Sequence, residues 1–72
     1  MWKDDFLKLG HKIKFERTRR KMSQLALALK TGLTTRSVSR IECGTNDPRY
    51  STLMRIAQAF DMELSDLFNF RL

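Results

Sequence analysis

A chain of 72 residues and 8.5 kDa has room for one domain, residues 1–72, and a single core of this size rarely supplies more than about 3–5 kcal/mol of net stability. One cysteine excludes an intramolecular disulfide, and one cysteine with one histidine excludes a Cys/His zinc site within a single chain. The net charge of +6 is placed asymmetrically: residues 1–44 carry eleven bases and four acids, residues 45–72 three bases and four acids. A basic surface of this kind suits a polyanion, either nucleic acid or, less often, an anionic membrane.

Apolar residues make up 42% and charged residues 31%, with one proline, the composition of a folded, helix-friendly chain. No uncharged run approaches the roughly 20 apolar residues of a membrane span. The start, Met1-Trp2-Lys3-Asp4-Asp5, lacks the pattern of a signal peptide. A cytoplasmic protein with no membrane partner is the expectation.

Three breaks divide the chain: Lys30-Thr31-Gly32, then Cys43 to Pro48, then Asp61 to Glu63. The first piece predicts a helix from about Asp4 to Arg20. At about 100° per residue, Trp2, Phe6, Leu9, Ile13 and Arg17 fall in one narrow stripe, the buried face of an amphipathic helix. Asp4 and Asp5 lie at the positive end of its dipole, and Arg19, Arg20 and Lys21 at the negative end. Arg17 lies inside the apolar stripe, which calls for a buried carboxylate opposite it. Phe15 points the other way.

Ser23 reads as the N-cap of a short helix from Gln24 to Lys30, with Leu27 and Ala28 inward. Gly32 closes that helix, since glycine takes the left-handed conformation of a helix end at no steric cost. Thr34 then caps a third helix, Thr35 to about Cys43. Two short helices joined this tightly cross at a large angle. Gly44 ends the third helix, and Pro48 stops any helix running through Asp47. Ser51 to Phe60 predicts a fourth, with Leu53, Ile56, Ala57 and Phe60 at i, i+3, i+4 and i+7. A last turn spans Leu64 to Phe68. Five helices and no strand are expected.

In the third helix Val38 and Ile41 define the inward side. Arg36, Ser39 and Arg40 lie opposite, flanked by Thr35 and Ser37. An α-helix fits the major groove of B-DNA, where Arg bonds twice to guanine and Ser or Thr bonds to base edges or phosphate. Gln24, at the start of the second helix, stands where free backbone N–H groups can hold a phosphate oxygen. Taken alone, Arg36 and Arg40 read more readily as a solvated i, i+4 face than as a DNA contact, since periodicity by itself is weak evidence.

The run Ser23 to Gly44, with Pro48, Leu53, Ile56, Ala57 and Leu67 beyond it, resembles the helix-turn-helix domain of the lambdoid phage repressor and Cro family, also called the XRE family. The likeness covers roughly Leu9 to Phe68. It implies an all-α, compact five-helix lambda-repressor-like fold whose second and third helices, about residues 24–43, form the DNA-binding unit. It also implies that Gln24 contacts phosphate and that Thr35, Arg36, Ser39 and Arg40 face outward from the recognition helix. Ser37 would touch phosphate or base, and Thr45, Asn46 and Asp47 would lie near the sugar-phosphate backbone. Arg17 and Glu42 match an ion pair of the family, which answers the inward-facing arginine.

Several residues depart from the family pattern. Lys21 stands where glycine is usual between the first two helices, so a strained left-handed residue is expected there. Leu25 and Leu29 replace acidic or polar residues and point away from the core. Glu16 takes a commonly apolar position beside the outward Phe15, which either a one-residue twist of the first helix or a partner contact through Phe15 would reconcile. His11 reads as a surface residue and Cys43 as an ordinary small side chain. Met1, Met22, Met54 and Met62 read as gap-fillers.

The resulting expectation is a sequence-specific DNA-binding regulator, a repressor or controller similar to small restriction-modification controller proteins. It would bind a palindromic operator on double-stranded DNA as a homodimer, with Phe70 and Leu72 as candidates for the seam. No cofactor, small-molecule effector or catalytic set is expected. The rival reading is a protein-interaction module, an antitoxin or coactivator of the same fold, using Leu25, Leu29 and Phe15.

Overall fold

A computed structural model describes residues 2–69, and side chains from residue 4 onward. Among them five helices follow one another: α1 (Trp2–Arg19), α2 (Gln24–Thr31), α3 (Thr35–Glu42), α4 (Tyr50–Ala59) and α5 (Leu64–Leu67). No strand occurs among the described residues. Each helix lies within one to two residues of its sequence-based bounds, the usual uncertainty at helix ends. Phe70 and Leu72, the candidates for a dimer seam, lie outside the described residues.

The caps explain where the helices begin. The Ser23 hydroxyl accepts a hydrogen bond from the Ala26 backbone N–H at 3.0 Å, and the Thr34 hydroxyl accepts from Ser37 N–H at 3.0 Å. Each satisfies one of the N–H groups that a helix start leaves without a partner. Gly32, at φ 74°, ends α2 in the left-handed conformation. Thr31 extends α2 one residue further than expected, because its hydroxyl donates to Leu27 O at 2.8 Å and its side chain is buried.

The core joins Leu9 and Ile13 of α1 to Leu27 and Ala28 of α2, Val38 and Ile41 of α3, Leu53, Ile56, Ala57 and Phe60 of α4's face and end, and Leu67 of α5. Met22, Leu33, Ala59, Met62 and Leu64 cover its margins. α1 packs on α3 and α5, α2 on α3 and α4, and α4 on α5. The turn after α1 places Lys21 at φ 57°, the expected strained position, and the turn after α4 places Asp61 at φ 56°.

Glu16 needs no twist of α1 to be accommodated. It sits inside a regular helix at 4% exposure, and its carboxylate meets Lys12 Nζ at 2.9 Å, Arg20 Nη1 at 2.6 Å and Arg19 Nε at 3.5 Å. Arg20 continues to the Phe60 carbonyl at 2.8 Å and lies 4.9 Å from the Phe60 ring centroid. This tie fastens the end of α1 to the end of α4. Phe15 remains outside at 56% exposure.

Candidate nucleic-acid interface

α3 is eight residues long and sharply two-sided. Val38, Ile41 and Glu42 are buried, and Thr35, Arg36 and Arg40 are exposed, with Ser37 and Ser39 half-buried between them. Neither Arg36 nor Arg40 makes a side-chain hydrogen bond or ion pair among the described residues. Thr34 Oγ1 donates to Ser37 Oγ at 3.0 Å, which fixes the Ser37 rotamer and leaves its own hydroxyl proton to donate. Thr45 Oγ1 reaches back to the Arg40 carbonyl at 3.2 Å and so holds the loop after α3 against the helix end. Thr45 is exposed and Asn46 half-buried.

The ridge is held from behind by one buried carboxylate. Arg17 donates from Nε to Glu42 Oε2 at 2.6 Å and from Nη2 to Oε1 at 3.1 Å. Its Nη1 donates to the Met22 carbonyl at 2.7 Å. Gln24 adds a third donor to Glu42, Nε2 to Oε1 at 3.1 Å. The end of α1, the α1–α2 turn, the first residue of α2 and the last residue of α3 are therefore tied at one point. A bidentate Arg–carboxylate pair sets orientation as well as distance. The angle between α2 and α3 is fixed by this knot at one end and by the short turn Gly32-Leu33-Thr34 at the other.

A close backbone approach completes the support. A Cβ built on Gly10 of α1 would overlap the carbonyl oxygens of Ile41 and Glu42. Glycine at this position lets the last turn of α3 rest directly on the α1 backbone. The position was legible in principle, since a glycine inside a helix costs about 1 kcal/mol relative to alanine and asks for a packing reason. The Gln24–Glu42 bond carried no such signal. Leu25 and Leu29 stand at 57% and 76% exposure on the outer side of α2.

Among the described residues, no group of three His, Cys, Asp or Glu could hold a metal ion, and no helix is long and apolar enough to cross a membrane. Cys43 is free and exposed.

Two capped helices joined by a three-residue turn, the second presenting free guanidinium and hydroxyl groups, make a helix-turn-helix unit. A helix-turn-helix family model matches residues 13–67, and the chain belongs to that family. It is 38% identical over 56 residues to an uncharacterized HTH-type transcriptional regulator, y4dL, of Sinorhizobium fredii, covering 78% of this chain and 29% of that protein. This chain thus spans under a third of that relative. The restriction-modification controller protein C.AhdI from Aeromonas hydrophila superposes with a TM-score of 0.87 at 30% identity, covering 89% of this chain and 97% of that one. These likenesses set the chain in the helix-turn-helix family, beside a transcriptional regulator and a restriction-modification controller protein.

Proposed function

We propose that this protein is a sequence-specific DNA-binding regulator, a repressor or controller, that inserts α3 into the major groove. The observation that carries the reading is the α3 ridge: Arg36 and Arg40 are exposed and unengaged on a helix fixed by the Arg17–Glu42–Gln24 knot. Side chains that read base edges have to be free of their own protein and mounted on a rigid support. In this reading Arg36 and Arg40 bond to guanine edges, while Thr35, Ser37 and Ser39 touch bases or phosphates. Gln24 keeps a second amide N–H and the free N–H groups of the α2 start for phosphate. Thr45 and Asn46 lie along the sugar-phosphate backbone.

The operator is palindromic and the protein binds it as a homodimer, its half-sites one helical turn, about 34 Å, apart. A groove of about 310 Å³ between α4 and α5, lined by Tyr50, Met54, Ala57, Met62 and Leu64 with Gln58 and Glu63 among them, supports a second copy on that side, with Phe68 exposed just after α5. Such a device needs no effector, and its response follows protein concentration.

Selection of bound duplexes from a random pool tests the whole reading at once. It is expected to return a twofold-symmetric site whose half-sites are one turn apart. Arg36→Ala and Arg40→Ala each lower affinity for that site by about 1–3 kcal/mol and relax preference at one base pair. Normal binding by both variants would remove α3 from the groove.

The exposed Leu25 and Leu29 favour a second reading, a protein-interaction module. Salt separates the two. A DNA contact of six or more phosphates weakens by about a thousandfold or more between 50 and 200 mM salt, whereas a leucine contact scarcely responds.

A further inference from the structure

The groove between α4 and α5 lies in an acidic stretch of a basic chain. Residues 56–69 hold three acids, Asp61, Glu63 and Asp66, and no base. All three are exposed, and none makes an ion pair among the described residues. Arg55, the base that precedes them, turns to the α2 side, where its Nη1 donates to the Thr31 carbonyl at 3.4 Å. Glu63 stands in the lining of the groove itself, and Asp61 directly precedes Met62, another lining residue. Between these carboxylates the surface is apolar: Ala57 is buried, Met62 and Leu64 are half-buried, and Tyr50 and Met54 remain 67% and 40% exposed.

A segment that suits such a groove offers apolar side chains with a base beside them. Phe70-Arg71-Leu72 has that pattern, and Arg71 is the one base in the chain beyond Arg55. In an extended segment, side chains two residues apart share a face. Phe70 and Leu72 can then enter the groove together. Arg71 can lay its stem over the apolar edge and bring its charge to Glu63.

We infer that the α4–α5 groove is the binding site for Phe70-Arg71-Leu72 of a second copy, each molecule giving the segment and receiving it. The inference rests on the homodimer proposed above and names what fills its seam. A twofold pair that exchanges an identical segment makes the same contact twice, at little cost to the fold. The chain's own segment is the poorer occupant. Phe68 N–H is bonded to the Leu64 carbonyl at 3.3 Å and Asn69 N–H to the Asp66 carbonyl at 3.1 Å, so the helical turn runs on to Asn69. Leu64, which lines the groove, stands at the opposite end of that turn, and no residue is left before Phe70 in which the chain could reverse. Exchange between copies needs no reversal.

Sedimentation equilibrium of the full chain without DNA tests this. Phe70→Ala/Leu72→Ala is expected to weaken dimerisation by about tenfold or more, the loss of two apolar anchors. Met54→Glu, which puts a charge into the groove, acts likewise. A mixture of these two variants regains one intact contact and is expected to form heterodimers more readily than either variant dimerises alone. Arg71→Glu weakens the dimer by about fivefold, two exposed ion pairs being lost, and adding Glu63→Arg restores it. That charge exchange touches no buried residue, so it decides the matter even if Met54→Glu fails to fold. Dimerisation indifferent to Phe70, Leu72 and Arg71 overturns the inference and leaves the homodimer standing. Weakened variants that do not complement each other overturn it too, by placing each segment in its own groove. A wild-type chain that stays monomeric at every concentration removes the homodimer itself and leaves the groove to a different protein, so the two readings fail separately.

Discussion

Glu42 shows what one side chain contributes at the end of α3. It is 4% exposed, and it accepts hydrogen bonds from Arg17 and Gln24, residues that lie in two other segments. Glu42→Ala leaves the Arg17 guanidinium buried without its counter-ion, which costs about 3–5 kcal/mol where burial is complete. Urea unfolding is expected to show most of that loss, and Arg17→Met/Glu42→Ala together to lose much less than the sum of the single changes. Arg17 was legible from helical phase alone, as a base inside an apolar stripe. Its partner emerged only through family resemblance, because 25 residues of chain separate the two. The Gln24 contact escaped both, since a glutamine at a helix start looks ready for solvent.

At the scale of elements, the capping residues wrote the plan most clearly. Ser23, Gly32 and Thr34 delimit α2 and α3 within one residue, because each supplies a hydrogen-bond acceptor or a backbone conformation that its neighbours cannot. What the pattern did not show was how closely two helices approach. α1 and α3 touch backbone to backbone at Gly10, a contact set by tertiary packing and not by the period of either helix. Gly10→Ala places a methyl group against two carbonyl oxygens that belong to the helix end, so the helices themselves must separate. A loss of about 2–3 kcal/mol is expected in thermal or urea unfolding, the upper part of the range for overpacking. Operator affinity is expected to fall beyond what the unfolded fraction explains, because α3 shifts relative to α2.

For the molecule as a whole, stability depends on acidity through Glu16. The hydrogen bond from Lys12, followed by that from Arg20 and the nearby positive charges, holds its carboxyl below the ordinary glutamate range, and burial opposes them only in part. The folded state therefore favours the ionised form more than the unfolded chain does. The stabilisation is complete above the ordinary glutamate value of about 4.3 and is lost as pH falls through the lowered folded value. Melting temperature followed from pH 6 to pH 3 is expected to drop more steeply in the wild-type protein than in Glu16→Gln, with the curves converging in acid. The sequence made Glu16 look misplaced among apolar neighbours. Its resolution lies in three cations at spacings of three and four along the same helix, a local pattern whose meaning depends on burial that the sequence does not state.

Lys21, left-handed at φ 57°, stands just ahead of the α2 start. A glycine would adopt that turn without steric cost, yet it would remove a cation two residues before the cap at Ser23. The chain thus keeps a tense link where a relaxed one was available. In the DNA-bound state proposed above, what that link gains is a positive charge kept beside the start of α2.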